Sequence, residues 1–115
     1  MDPWQMKQYV IDELRPEDYT RIKAYLDDTF GGDEMEGLYW VPLDEGHLSD
    51  VQGAHEACKP FYFAIEIGPT SLACELLVRT RNRIRCDCIG YATERQRNWI
   101  VDRIDAIFRA LDIKT

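Results

Sequence analysis

Residues 61–67 and 72–80 each place an apolar side chain at every second position over most of their length, and pairing the two runs with both apolar faces on the same side constrains their register. Phe61, Phe63, Ile65 and Ile67 share one face of the first run; Leu72, Cys74, Leu76 and Val78 share one face of the second. A one-residue slip would turn a whole apolar face to water. Matching the faces sets Ile67 opposite Leu72 and Ile65 opposite Cys74, leaving Gly68-Pro69-Thr70-Ser71 as the turn. A third run, about 83–91, carries Ile84, Cys86 and Cys88 on one face. A three-residue loop, Arg81-Asn82-Arg83, keeps its parity, because Asn82 tolerates a left-handed conformation. Val78 is then expected opposite Cys86, Leu76 opposite Cys88, and Arg79 opposite Arg85 on the outer face.

A meander of this kind has to be covered, and the helical stretches supply the cover. Pro16 suits a first helical position, with Glu17 and Asp18 at the positive end of the dipole. Tyr19, Ile22, Leu26 and Phe30 continue the stripe until Gly31-Gly32 stops it, predicting a helix over about 16–30. Ser49 and Gln52 form a capping box for a short helix, about 49–58, ended by Lys59-Pro60, with Leu48, Val51, His55 and Cys58 as its inward stripe. Thr93 and Gln96 form a second box, opening a helix over about 94–111 whose Ile100, Ile104, Ile107, Phe108 and Leu111 require burial. Residues 8–14 read as a short strand or extended lead-in. Residues 38–43 read as a strand that Pro42 confines to a sheet edge. The predicted fold is a single α+β domain over 1–115: a two-layer arrangement with an antiparallel three-strand meander (about 61–67, 72–80, 83–91) under helices.

Charge divides the chain. Residues 1–78 carry a formal −11 and residues 79–115 a formal +4, within a net −7. The switch falls at Arg79, Arg81, Arg83 and Arg85, four cations in seven residues. Like charges opposed across a ladder destabilise a sheet, so Arg79 and Arg85 call for an acidic counterpart. The fork of arginine suits carboxylates on a protein partner, and these four are the candidate partner-binding residues. The same charges also read as an ordinary solvated hairpin tip. The acidic balance excludes general nucleic-acid binding. No apolar run nears the ~20 residues of a membrane span, so no membrane association is expected. The N-terminus lacks the layout of a signal peptide, which points to a cytoplasmic location and reduced cysteines.

No nucleophile elbow, phosphate-cradling loop or calcium loop is present in the sequence, and no catalytic residues are assigned. The sharpest chemistry lies in four residues. Cys86 and Cys88 stand two apart on a strand and so point the same way; His55 and Cys58 stand three apart on a helix face. Together they make a Cys₃His donor set suited to zinc. Against this, there is no Cys-x₂-Cys knuckle, and buried cysteines commonly serve as small hydrophobes. His47, beside Asp44 and Glu45, reads as a surface residue.

In size, acidity and layout, the chain resembles the chaperones of type III secretion, which implies a protein-binding role. Two readings follow. The first is a protein-interaction or chaperone-like module, forming a homodimer or holding another protein, with no cofactor. The alternative is a metal-binding or thiol-sensing regulator using zinc at His55, Cys58, Cys86 and Cys88.

Overall fold

The computed structural model describes residues 7–31, 36–80 and 88–114. In chain order these form β1 (Gln8–Ile11), α1 (Pro16–Phe30), β2 (Leu38–Pro42), a 3₁₀ turn (Glu45–His47), α2 (Asp50–Ala54), a second 3₁₀ turn (Glu56–Cys58), β3 (Phe61–Ile67), β4 (Leu72–Glu75), β5 (Leu77–Thr80), β6 (Gly90–Tyr91) and α3 (Glu94–Ala110). The strands join in one six-stranded antiparallel sheet, and the helices cover one face. The α+β class and, in outline, the meander are as the sequence predicts; the runs 8–14 and 38–43 supply β1 and β2, and the predicted strand 72–80 is divided into β4 and β5.

The first hairpin keeps its predicted register, with Ile67 opposite Leu72 and Ile65 opposite Cys74. The predicted strand 72–80 is interrupted at Leu76. Its first part pairs with β3 in one register, and its second part, Phe61 opposite Thr80 and Tyr62 opposite Arg79, in a register two residues removed. Two extra residues are thus accommodated around Leu76, one more than an ordinary bulge inserts. On the far edge, β1 pairs with β4 and β6 pairs with β5. Leu76 serves both neighbours: its N–H donates to the Lys7 carbonyl (2.9 Å), and its carbonyl accepts from the Ala92 N–H (2.7 Å). β2 pairs only with β3, at the opposite edge, where Pro42 costs no ladder bond.

The third strand departs from expectation. Val78 faces Gly90 and Leu77 faces Tyr91, rather than Val78 facing Cys86 and Leu76 facing Cys88. The shift is four residues, an even number, so every side chain keeps its face and alternation alone could not choose between the registers. The break at Leu76 decides, because it hands that carbonyl to Ala92. The predicted loop Arg81-Asn82-Arg83 and the pairing of Arg79 with Arg85 fall on 81–87, outside the described residues.

Buried side chains from the helices and the sheet meet in one core: Ile22 and Leu26 of α1, Ile100, Ile104 and Phe108 of α3, and the inward residues of the strands. Phe63 is fully buried and stacks on Trp99 of α3 at 6.2 Å between centroids. Two tyrosines tie sheet to helix by their hydroxyls, Tyr9 to Asp105 (2.6 Å) and Tyr39 to Asp27. Both phenols are pushed up to about 12, by burial first and by the facing carboxylate second. α1 passes into extended backbone at Gly31, a position only glycine fits, since a Cβ there would lie 2.0 Å from the Asp27 carbonyl oxygen. α3 ends in a Schellman motif: the Ile113 N–H donates to the Phe108 carbonyl, and the Asp112 N–H to that of Arg109, with Asp112 at φ 56°.

At the start of α1 the predicted dipole role of Asp18 is exceeded. Its buried carboxylate accepts from the Arg15 backbone N–H (3.1 Å) and from the Arg15 guanidinium (3.0 and 3.1 Å). The guanidinium bond is the main cause holding its pKa below the usual carboxylate range. A depressed carboxylate stabilises the fold above its unfolded pKa, and that stability is lost as pH falls through the folded value. Wild-type protein is therefore expected to lose urea resistance progressively below about pH 4. Asp18→Asn should be weaker at pH 7 and show a shallower acid dependence; equal pH profiles for the two would overturn this role.

Candidate metal centre

The polypeptide between Ser49 and Pro60 is short on regular structure for a physical reason. The capping box of α2 forms as predicted, the Ser49 hydroxyl accepting from the Gln52 N–H (3.2 Å) and the Gln52 amide oxygen from the Ser49 N–H (3.0 Å). The helix then lasts five residues, and His55 leaves helical geometry at φ −96°, ψ 73°. A 3₁₀ turn follows, with the Cys58 N–H donating to the His55 carbonyl (3.0 Å). Residues three apart eclipse in 3₁₀ geometry, so His55 and Cys58 fall on one side. The expected inward stripe is corrected here: Val51 is exposed, and Gln52 points inward instead. The short helix turns a different face to the core, and the box draws the Gln52 side chain in.

Cys88 arrives from thirty residues further along the chain, in the turn that leads into β6. The ligand atoms of His55, Cys58 and Cys88 all lie within 4.8 Å of one another. Both thiols are 3 % exposed and the imidazole is half-buried. A tetrahedral zinc with ordinary bond lengths holds sulfur and nitrogen donors ~3.5–3.8 Å apart, so small side-chain rotations bring these three to ligand spacing. Three of the four residues singled out by sequence spacing are thus brought together. Cys86 lies outside the described residues.

Two further residues, neither of them marked as a site residue by the sequence, hold this cluster. The Thr80 hydroxyl donates to the Cys58 carbonyl, and the Gln52 amide nitrogen donates to the Cys88 carbonyl at 3.2 Å. Gln96, from the capping box of α3, donates both to the Gln52 amide oxygen and to the His47 carbonyl, each at 2.8 Å. The two boxes therefore meet head to head, and their buried glutamines form one network. Gln52 was legible as a cap; its inward amide was not.

The remaining candidates separate from this cluster. Cys74 is fully buried on β4, and burial, reinforced by the Glu75 charge, pushes its thiol up to about 12. It is a core side chain. His47 is half-buried, its ring tilted against Trp99 at 5.7 Å and its Nδ1 3.2 Å from an Asp44 carboxylate oxygen. Arg79 makes a two-pronged salt bridge to Glu75 at 2.9 and 3.0 Å, so its acidic counterpart comes from the same strand run. Arg81, Arg83 and Arg85 lie outside the described residues. Among the described residues, no helix is long and apolar enough to cross a membrane.

The chain matches no protein-family model, no curated protein and no solved structure. Resemblance to secretion chaperones stays one of size, acidity and layout, and the functional reading rests on the site itself.

A buried thiol whose thiolate is strongly disfavoured is a poor nucleophile. Under native conditions Cys74 is expected to resist N-ethylmaleimide for hours and to react fully in urea, as read by peptide mass spectrometry. Rapid native labelling of Cys74 would contradict its placement.

Proposed function

We propose that this chain is a metal-binding regulatory protein that holds a thiophilic divalent ion, zinc foremost, at His55, Cys58 and Cys88. The observation that carries the proposal is the convergence of three N/S donors from segments some thirty positions apart onto one 4.8 Å cluster. Thiolate and imidazole donors favour zinc over hard ions such as magnesium or calcium. An ion here would clip the turn after α2 to the turn before β6. Metal binding would thus be linked to stability of the whole helix–sheet junction. A thiolate site of this kind suits a reducing compartment such as the cytoplasm.

Protein purified without chelator is expected to carry one zinc per chain by native mass spectrometry. His55→Ala, Cys58→Ser and Cys88→Ser should each lower occupancy at least ~10-fold, while Cys74→Ser leaves it unchanged. Wild-type protein that takes up no zinc or cobalt at neutral pH would sink the proposal.

The protein-interaction reading stands second, favoured by the sheet face away from the helices. There Trp40 packs edge-on against Tyr62 at 6.2 Å, and Val10 and Tyr91 are 44 % and 56 % exposed. A second copy of the chain is the occupant this reading names. Light scattering is then expected to give a dimer, and Trp40→Ser a monomer. A wild-type monomer across the accessible concentration range would refute it.

A further inference from the structure

Resting on the metal-binding reading, we infer that Thr80 and Gln52 are positioning residues of the site, locking both cysteines into ligand geometry before the ion arrives. The segments that carry the donors are cross-braced. The first, residues 52–58, holds His55 and Cys58; the second side is made of Thr80, at the end of β5, and Cys88, just ahead of β6. Thr80, from the second, binds the carbonyl of Cys58 in the first. Gln52, from the first, binds the carbonyl of Cys88 in the second, at 3.2 Å.

Four polar or charged residues are buried among those described: Asp18, Gln52, Thr80 and Gln96. Asp18 serves the start of α1. The other three converge on the cysteine-bearing backbone, directly or, for Gln96, through the Gln52 amide oxygen. Burying a hydroxyl or an amide is unfavourable unless its bonds are made. Apolar side chains would fill the same space without that requirement. What the polar groups add is direction. A carbonyl held by a hydrogen bond fixes the peptide plane beside the cysteine, and with it the line along which Cβ and Sγ point. Preorganised donors lose less freedom on binding, and outer-shell partners of metal ligands commonly affect affinity 10–100-fold.

Cobalt(II) provides the probe, because its thiolate charge-transfer and d–d bands report donor number and geometry. Three variants are titrated with Co²⁺ and then with Zn²⁺ against a chromophoric chelator. Thr80→Val keeps the shape and removes the hydroxyl. Thr80→Ser restores the hydroxyl. Gln52→Glu keeps the acceptor used by the Ser49 cap and by Gln96 but removes the donor to Cys88. Thr80→Val and Gln52→Glu are expected to weaken binding ~10-fold or more and to alter the d–d bands, with Thr80→Ser close to wild type.

A purely structural role for Thr80 and Gln52 would lower the melting temperature of the metal-free variants while leaving affinity and spectrum as in wild type. That result overturns the inference and leaves the metal site standing. A wild-type chain that develops no cobalt bands overturns both. Should one variant fail to fold, the other still decides, since each hydrogen bond is tested by its own substitution.

Discussion

The backbone of Leu76 is the joint on which the sheet turns. A strand of nine residues would have carried one neighbour along its whole outer edge. By taking two extra residues at Leu76, the run instead presents its N–H to the segment before β1 and its carbonyl to the segment after β6. Each hydrogen bond is worth only about 1 kcal/mol net, but both are buried in the sheet, and leaving either unmade costs more than making it gains. The ladders of β1 with β4 and of β6 with β5 are therefore joined end to end through one residue. Leu76 itself is 1 % exposed, so its side chain anchors the bend in the core.

From that joint the position of the cysteine and histidine cluster follows. β6 lies beside β5 because of Ala92, and the turn before β6 brings Cys88 to the start of the sheet, where β3 emerges from the 3₁₀ turn bearing Cys58. The helices meet the same place from above. Two capping boxes, Ser49 with Gln52 and Thr93 with Gln96, face one another, and the same glutamine amides that close the boxes also reach across to each other and to backbone carbonyls. A local device for ending two helices has become a tertiary contact. Burial of both amides, at 4 % and 1 % exposure, makes that contact demanding, because every donor and acceptor has to be met.

What could be read in advance was whatever depended on period and local chemistry. The hairpin of 61–75 was fixed by parity and by Gly-Pro in its turn, α1 by Pro16 and by the glycine that follows Phe30, and both capping boxes by serine or threonine three residues before glutamine. The departures fall where the local pattern leaves a choice open. The register of the third strand differs by four residues because parity permits it and the bond from Ala92 selects it. Val51 is outside and Gln52 inside because a five-residue helix has no long stripe to set its phase. The grouping of His55, Cys58 and Cys88 was legible as spacing, yet Thr80 was invisible, since a threonine ending a strand announces nothing until its hydroxyl is seen on the Cys58 carbonyl.

The tandem arrangement of β1 and β6 has a bearing on how the molecule meets other chains. An incoming strand at that edge would find two short rails, four and two residues long, separated by the joint at Leu76 rather than one continuous ladder. At the other edge β2 offers five residues and ends in a proline. Among the described residues, neither border supplies the long, flat template that pairing through sheet edges favours. Growth by strand addition is thus disfavoured along the described borders, which turns association toward the broad face or the helices.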